Sequence, residues 1–545
     1  GPTGEELERQ KTKIEYGMIS GLQSILGKAN QLNTYEFFFG EPDSFKRDLD
    51  RYRHATPDVV RQWARRVFTP DARLILRVVP EGQPPADNPR DEQPSIAGAA
   101  PFSPLMPHTF KLQNGVTVHH WERHELPLVQ MRMLIPYGTT SDPPDKAGLA
   151  ALTADMLDEG AGSRGAVAFA DALDMLGAGF SARSGYDSTT VSLTSLTRHF
   201  PAALALYADA VQTPRFDEKE WQRVHRLHLQ RLIRLKDRPT YVAQTVAMRA
   251  FFGDDHPISR PGGGTESTAK IVTLDDVRRF HRRLYRPSKA VILIAGDLSK
   301  GEAKSQLTRW LGSWSAPPGV AALEEPSYPP PDNDSLRVVL VDRPQAVQTV
   351  VRFTMPGPRY ADPNRIPLHL FNTILGGSFT SRLNKNLRED HGYTYGARCN
   401  YAMGTSVGFF TASSNVRADV TGASLGEFLK EFAAIRTGNI SEEEARKARS
   451  AQRMRMIRSF AGLGGILSSA ATLVRNGRPF SDLGDELQAV DRIGEGNLNR
   501  LAYRAVPLDK GLLVLVGDKA LILDQLKEVD LPAAVELSPS GDPIR

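Results

Sequence analysis

Apolar positions along the chain recur in a pattern that predicts the same helix and the same following strand three times. Residues 56–70 have the spacing of an amphipathic helix that ends at a proline, and the apolar run 73–79 follows as a strand. The pattern returns 217 residues later at 273–287 and 290–294, with nine identities in 21 positions. A fainter copy lies at 493–516. Such an internal repeat organises the whole fold.

The start of the repeated unit is visible twice, as two apolar runs joined by a charged turn. These runs are 116–121 with 128–135, and 336–341 with 347–355. Short connections predict antiparallel pairing of the two strands that they join. We therefore predict an α+β fold of repeated two-layer units of about 220 residues, each a largely antiparallel sheet covered by helices.

Two Pro-rich stretches separate the predicted units, because such compositions are typical of extended connections. The predicted division is a C-terminal fragment of a preceding unit at 1–80, a linker at 81–107, a first complete unit at 108–314, a Pro-rich linker at 315–334, a second complete unit at 335–532 and a tail at 533–545.

The fragment at the start of the chain matches the last third of a unit at a constant offset of 437 residues. This offset pairs Leu26 with Leu463 and Gly40 with Gly477. A domain that begins at its last third is incomplete. We expect this fragment to complete a unit whose beginning lies upstream or on a separate chain.

The composition is typical of a soluble globular protein and does not distinguish a periplasmic from a cytoplasmic location. Of 545 residues, 40% are hydrophobic and 24% charged, and the net charge is +5. The longest apolar runs, 290–295 and 512–516, are too short to span a membrane. The single Cys399 excludes a multi-cysteine metal site. The basic run 223–234 lacks interleaved aromatic residues, so nucleic acid is not an expected partner.

Five short motifs carry a resemblance to a known family. They are Leu-Gln-Asn-Gly-Val at 112–116, Asp-Pro-Pro-Asp-Lys-Ala-Gly-Leu-Ala at 142–150, Gly-Asp-Asp-His-Pro-Ile at 253–258, Leu-Gly-Gly-Ser-Phe-Thr-Ser-Arg-Leu at 375–383 and Leu-Arg-Glu-Asp-His-Gly-Tyr-Thr-Tyr at 387–395. With them the chain resembles the pitrilysin or insulinase family of zinc metallopeptidases, which includes the mitochondrial processing peptidases. The resemblance implies two halves that close around an unfolded peptide.

The same resemblance implies that the family's zinc site is degenerate here. The family places an inverted motif, His-x-x-Glu-His, on the helix after the Ala-Gly-Leu-Ala run. This chain has Ala151, Ala154 and Asp155 there, and Arg231 at the place of the third ligand. Alanine has no ligand atom, and a guanidinium is a charged donor without an acceptor. We expect no metal, general base or cofactor in this chain, and zinc in a catalytic half.

Two further expectations concern this degenerate site. The resemblance directs positions 155 and 231 toward the zinc, so we hypothesise that Asp155 and Arg231 form an ion pair in the space of the metal. His225 and His228 lie one turn apart among arginines. We expect a cationic, solvent-facing helix surface there rather than a metal site.

A substrate-binding pair is retained at the end of the last motif. By the resemblance, Arg388 and Tyr395 hydrogen-bond the substrate backbone and the developing oxyanion. The fixed donors of an arginine and the hydroxyl of a tyrosine suit a carbonyl oxygen that gains charge. Tyr393 is a neighbour with a weaker claim, because the family's spacing selects Tyr395.

The leading interpretation is the non-catalytic C-terminal half of a pitrilysin-like zinc endopeptidase, inactive alone. Its partners would be an unfolded peptide substrate and a zinc-bearing half. One alternative is a stand-alone subunit of a two-chain peptidase, which differs only in where the zinc motif is encoded. The alternative from another class is a non-enzymatic peptide-binding or scaffold protein.

Overall fold

The computed structural model describes residues 1–67, 103–319, 328–331 and 333–544, within which two six-stranded sheets repeat one arrangement. The strand expected at 73–79 and most of the linker residues lie outside this part of the chain. The strands up to residue 300 are β1 (His108–Lys111), β2 (Thr117–Glu122), β3 (Leu128–Ile135), β4 (Gly160–Ala161), β5 (Arg164–Gly165), β6 (Gly179–Ser184), β7 (Thr189–Leu196) and β8 (Val291–Gly296).

Eight helices accompany these strands. They are α5 (Leu149–Asp155), α6 (Ala166–Met175), α7 (Phe200–Gln212), α8 (Glu218–Lys236), α9 (Pro239–Phe252), α10 (Glu266–Ile271), α11 (Leu274–Leu284) and α12 (Lys300–Leu311). The inner face of the first sheet packs against helices that include α5, α7 and α11, through a core that contains Met131, Val191, Tyr207 and Ile294. The alternation of buried and half-buried residues along β7 follows from the two-residue period of a strand.

The second sheet and its helices repeat this arrangement. Its strands are β9 (Arg337–Asp342), β10 (Gln348–Gly357), β11 (Thr394–Met403), β12 (Gly408–Arg417), β13 (Leu512–Gly517) and β14 (Ala534–Glu536). Its helices are α13 (Arg365–Asn372), α14 (Arg382–Asn384), α15 (Thr421–Arg436), α16 (Glu442–Ser459), α17 (Leu463–Arg475), α18 (Asp482–Arg492), α19 (Glu495–Ala505) and α20 (Lys519–Leu526). Strand β14, within the segment expected as a tail, pairs in parallel with β9.

The α+β fold of repeated units is confirmed, but the predicted pairing at the start of each unit is wrong. The first sheet has the order β1-β2-β8-β3-β7-β6 and the second β11-β12-β10-β13-β9-β14, so β8 and β13 separate the strands expected to pair. Strand β8 is apolar on both faces, with Ile292 and Ile294 on one side and Leu293 and Ala295 on the other. A strand buried on both faces takes a central position.

Each sheet has its outer face covered by a helix from the other unit. Helix α9 of the first unit packs on β10 and β13, where Val246 and Phe251 contact the outer-face valines of the second sheet. Helix α17 of the second unit packs on β3 and β8, where Leu467 joins Leu134 and Leu293. This reciprocal exchange joins the two units through buried apolar surface.

Four helices lie within the described residues 1–67: α1 (Gly4–Gly21), α2 (Ile25–Phe39), α3 (Phe45–Arg53) and α4 (Pro57–Val67). They start 437 or 438 residues before α16, α17, α18 and α19, respectively. Helices α1 and α16 even begin with the same capping box, Thr3 with Glu6 and Ser441 with Glu444. The sequence repeat thus corresponds to a repeat of helices.

Glu15 ties the N-terminal helices to the first unit. Its buried carboxylate accepts hydrogen bonds from Arg198 Nη1 (2.6 Å) and Nη2 (2.8 Å) and from Arg53 Nη2 (2.7 Å). The bonds to Arg198, and then those to Arg53, lower the pKa of Glu15 to about 2 from its usual value near 4.5. A lowered carboxyl pKa stabilises the fold above the unfolded value, and this contribution is lost as the pH falls toward 2.

We therefore expect Glu15→Gln to lower the free energy of unfolding by about 2 kcal/mol near neutral pH. The difference from wild type should shrink as the pH falls below about 4.5, because the wild-type carboxylate is then protonated. Urea unfolding at several pH values measures this. Glu8→Gln is the control, since Glu8 forms only an exposed pair with Lys11. A loss that does not depend on pH would contradict the assignment to the Glu15 charge.

No single helix among the described residues is both long and apolar enough to cross a membrane. Helices α16 and α17 meet that length and composition test only as a pair, and they are bent by 107° at their junction.

Candidate functional site

Three of the four predicted zinc-site positions line one cavity of about 560 Å³ in the first unit. Ala154 and Asp155 come from the last turn of α5, and Arg231 comes from the middle of α8. Edge strand β6 closes the cavity with Ala182 and Arg183. Ala151 lies one turn earlier on α5 and is half-buried. The structure therefore brings together residues that are 76 positions apart in the sequence.

The start of α5 is set by the Asp-Pro-Pro-Asp-Lys-Ala-Gly motif. Asp142 is buried, and its two carboxylate oxygens accept from the backbone N–H groups of Gly148 and Ala150, each at 2.8 Å. Gly148 has a φ of +100°, and a Cβ there would lie 2.5 Å from the carbonyl oxygen of Gly263. Only glycine fits this position, so the motif fixes how α5 enters the site.

The expected ion pair between Asp155 and Arg231 is not formed. The Nη2 of Arg231 instead lies 3.1 Å from Nδ1 of His228. Because a guanidinium only donates, this ring nitrogen accepts, and His228 Nε2–H donates to the carbonyl oxygen of Gly263 at 2.8 Å. Burial lowers the pKa of His228, in keeping with a ring whose Nδ1 accepts a hydrogen bond. Arg231 is thus bonded to a histidine of its own helix that the surrounding basic sequence predicts to face solvent.

Both histidines of α8 are packed rather than solvent-facing, so that expectation is wrong. His228 is buried, and Nε2 of His225 lies 2.7 Å from the carbonyl oxygen of Ala269 in α10. The close passage of α10 and the loop at 261–264 over α8 covers this face. Nothing in the arginine-rich sequence around them indicates that contact.

Acidic groups face these cations across the same cavity. Burial raises the pKa of Asp155, although the charges of Arg231 and Arg183 oppose the shift. Burial and the neighbouring Glu159 raise the pKa of Asp158 to about 6. Arg223 bonds both Glu159 and Glu220. The site is therefore a cleft lined by both acidic and basic side chains.

The side chains present at this site do not fit zinc. Ala151 and Ala154 offer only methyl groups, and Arg231 is a cation whose guanidinium donates to His228. Among the residues that the structure describes, no group of three or more His, Cys, Asp or Glu side chains is arranged to hold a metal. No hydrolytic step can be derived from a donor set of this kind.

A second cavity, of about 490 Å³, lies between α9 and the open edge of the second sheet. It is lined by polar groups from four elements: Thr240 of α9, Gln348 and Arg352 of β10, Thr394, Tyr395 and Arg398 of β11, and Ser413, Ser414 and Asn415 of β12. Such a row of hydroxyl, amide and guanidinium groups suits the hydrogen-bonding needs of an extended peptide backbone.

Tyr395 is presented to this cavity by a β-bulge. The register of β11 against β12 shifts between Thr394 and Ala397, and the Tyr395 side chain is left 92% exposed. Asn384 holds the bulge from the other side, because its Oδ1 accepts the N–H of Ala397 at 2.8 Å. Bulges reorient single side chains in this way. Tyr393, in contrast, is half-buried and stacks on His391 at 4.9 Å.

Arg388 lies on the π-helical turn Lys385–Asp390, just before β11. Its guanidinium stands over the ring of Phe379, 4.4 Å from the centroid, and it does not line the cavity that Tyr395 lines. A cation–π contact leaves the N–H edge of the guanidinium available to acceptors.

Arg352 is a polar residue of this cavity that sequence reasoning missed. Its Nε is buried without a hydrogen-bond partner, and burial lowers its pKa. The available signal was a lone arginine inside the apolar run 350–355. A guanidinium without a partner at the cavity wall is a candidate donor to a bound peptide.

Family models match two parts of the chain that together exceed half of it. Residues 121–257 match the insulinase model of peptidase family M16, and residues 272–452 match the model described as the peptidase M16 inactive domain.

Similar proteins include an uncharacterized zinc protease, YmxG, of Bacillus subtilis, which is 23% identical over 389 residues that cover 71% of this chain and 91% of that protein. A protein of Helicobacter pylori named non-peptidase homolog YmxG is 25% identical over 286 residues, covering 52% of this chain and 64% of its own.

Solved structures share the fold. The peptidase M16 inactive domain from Pseudomonas fluorescens superposes with a TM-score of 0.71 and 25% identity, covering 76% of this chain and 99% of that one. The periplasmic protease PqqL of Escherichia coli superposes with a TM-score of 0.63 at 16% identity, covering 80% of this chain and 51% of PqqL.

Proposed function

This chain belongs to the insulinase family of M16 peptidases as an inactive-type member, and we propose that it is the non-catalytic half of a zinc endopeptidase. It closes the peptide chamber and binds the substrate backbone. A separate M16 half supplies the zinc and the general base. The substrate class is a peptide or unfolded segment small enough to enter the chamber between the halves.

The observation that carries this proposal is the donor set in the first cavity. The metal positions implied by the family hold Ala151, Ala154, Asp155 and Arg231, of which only Asp155 has an oxygen to offer. Arg231 is bonded to His228 within that cavity. A chain of this family that cannot hold zinc contributes to peptide hydrolysis only together with one that does.

The residues that we assign to substrate binding lie in the second unit. Tyr395 lies on its bulge and lines a cavity rich in polar groups, and its side chain is largely exposed to solvent. Arg388 carries five N–H donors on a rigid frame. We assign these two residues to the substrate carbonyl and to the oxygen that gains charge when water attacks it, where each donor contributes most in the transition state.

A non-enzymatic peptide-binding protein is the second candidate function. It is favoured by the Helicobacter pylori relative that is named a non-peptidase homolog. In that case the polar cavity beside α9 binds peptide without cleavage. A two-chain peptidase and a single long polypeptide are both compatible with the leading proposal.

Reconstitution separates these functions. We expect the isolated chain to contain only sub-stoichiometric zinc by elemental analysis and to leave an unstructured fluorogenic peptide intact. Addition of the zinc-bearing M16 half encoded in the same genome should produce cleavage that neither component gives alone. Stoichiometric, tightly held zinc in the isolated chain, or chelator-sensitive cleavage by it, would contradict the proposal. Peptide binding without cleavage in the mixture would favour the second candidate.

A further inference from the structure

Helix α2 presents an exposed apolar surface. Ile25, Leu26, Leu32, Phe37 and Phe38 are all exposed, with Leu26 at 69% and Phe37 at 79%. Leu26 and Phe37 are eleven residues apart, which is close to three helical turns, so they lie on one face. Ile25 and Leu32 point more than about 100° to one side of this pair and Phe38 a similar angle to the other, so exposed apolar side chains surround much of the helix and make it a candidate interaction surface.

The internal repeat identifies the kind of surface that this face contacts. In each copy, the second helix of the four-helix set follows a long first helix: α2 follows α1, α9 follows α8 and α17 follows α16. The constant offset of 437 residues pairs Leu26 with Leu463 and Phe37 with Val474. Both of these α17 residues pack on the outer face of the first sheet, and Leu463 is only 8% exposed.

Helices α9 and α17 hold the same place in the repeat as α2 and show what a helix in that place packs against. Val242, Ala243, Val246 and Ala247 of α9 lie 224 residues before Ile466, Leu467, Ala470 and Ala471 of α17. The first four pack on the outer face of the second sheet and the last four on that of the first sheet. In both cases the helix covers the sheet of a different unit.

Within the described chain no sheet is left for α2 to cover. The outer face of the first sheet is covered by α17 and that of the second by α9, while their inner faces pack on helices of their own units. A second copy of this chain has both outer faces covered in the same way. The occupant is therefore a sheet from another protein unit of this type.

We propose that the exposed face of α2 docks on the outer face of a six-stranded sheet in the zinc-bearing half. This inference rests on the proposed function, because it takes its partner from there. The centre of the α2 face carries the short exposed residues Ala29, Asn30, Asn33 and Thr34, so the sheet approaches closely and offers partners to the two amides. A comparable polar contact exists beside α17, where Arg132 of the first sheet donates to Ser468 Oγ at 2.8 Å.

The N-terminal helices hold α2 in a defined place for this contact. Arg9 and Lys13 of α1 pair with Asp171 and Asp174 of α6, at 2.7 Å and 2.6 Å. Helix α2 ends at Gly40, which has a φ of +65°. A helix that is already positioned loses little conformational freedom on binding.

The test is a double variant, Leu26→Asp with Phe37→Asp, mixed with the zinc-bearing M16 half encoded in the same genome. We expect its Kd for that half to rise on the order of 100-fold, because two carboxylates would be buried against an apolar sheet. The melting temperature of the isolated chain should not change, since both positions are exposed. Val167→Asp, which changes an apolar residue 76% exposed on α6, is the matched control and should bind as wild type does.

Hydrogen exchange gives an independent readout of the same contact. Amide groups of residues 25–39 should become more protected when the zinc-bearing half is added to wild type, and not in the double variant. Loss of binding in the double variant alone supports the docking surface. Equal binding by wild type and double variant overturns it while leaving the proposed function intact.

Two other outcomes would also overturn the inference. If wild type binds no zinc-bearing half and supports no cleavage, the proposed function fails and the docking partner fails with it. If sedimentation shows that wild type self-associates and the double variant does not, the occupant is a second copy.

Discussion

Replacing Tyr395 by phenylalanine should lower the kcat of the assembled peptidase about 100-fold, the usual effect of removing one oxyanion donor. The change deletes a single hydroxyl from a residue that lines the polar cavity beside α9 and whose side chain is 92% exposed. KM should change little, because the lost hydrogen bond acts mainly in the transition state. Steady-state cleavage of an unstructured peptide by the mixed halves measures both constants.

Matched variants make this prediction specific. Tyr393→Phe removes the same group from the half-buried neighbour that stacks on His391, and kcat should stay near the wild-type value. Arg388→Ala should reduce kcat by a similar factor to Tyr395→Phe, whereas Lys385→Ala removes an exposed cation from the same turn without effect. Full activity of Tyr395→Phe, with unchanged melting behaviour, would remove this tyrosine from the mechanism.

Phe251→Ala should cost about 3–5 kcal/mol in the free energy of unfolding, the range for a large aromatic truncated in a core. Phe251 of α9 is buried in the cluster that joins the first unit to the outer face of the second sheet. Its loss opens a cavity between units, so we also expect the urea transition to become less cooperative as the units separate. Denaturation followed by circular dichroism and by tryptophan fluorescence measures both effects.

Phe38→Ala is the control for this second prediction. It makes the same chemical change on α2, where the ring is exposed, and should shift the free energy of unfolding of the isolated chain by less than about 0.5 kcal/mol. A loss below about 1 kcal/mol for Phe251→Ala would show that α9 does not hold the two units together.

The repeated helix-and-strand pattern was sufficient to predict the α+β class and the repetition of units, because both follow from local apolar spacing. The strand order was not predictable in this way. The runs 116–121 and 128–135 are close in sequence and read as a hairpin, yet β8, more than 150 residues later, lies between them. The apolar run 290–295 that contains β8 was visible in the sequence, but its need for a central place depends on which helices cover each face.

In the candidate site, too, some features follow from residue identity and others only from the three-dimensional arrangement. At positions 151 and 154, which the resemblance assigns to zinc ligands, alanine offers no lone pair whatever the surroundings are, since its side chain is a methyl group. The partner of Arg231 was misassigned, because the choice between Asp155 and His228 is a matter of distance. The loop carbonyl of Gly263 sets it by accepting the Nε2–H of His228, which leaves Nδ1 to the guanidinium.

Residue identity alone established the family resemblance, the repeat and the lack of ligand atoms at the positions that the resemblance assigns to zinc, since each depends on which atoms a side chain carries or on spacing along the chain. Packing between distant segments established the rest: the exchange of α9 and α17 between units, the bulge that exposes Tyr395 and the uncovered face of α2. These features arise because apolar surface is buried against a complementary face, and the two faces belong to segments that are far apart in the sequence. Helix α2 carries exposed apolar residues, among them Leu26 and Phe37, that no sheet in the described part of the chain covers.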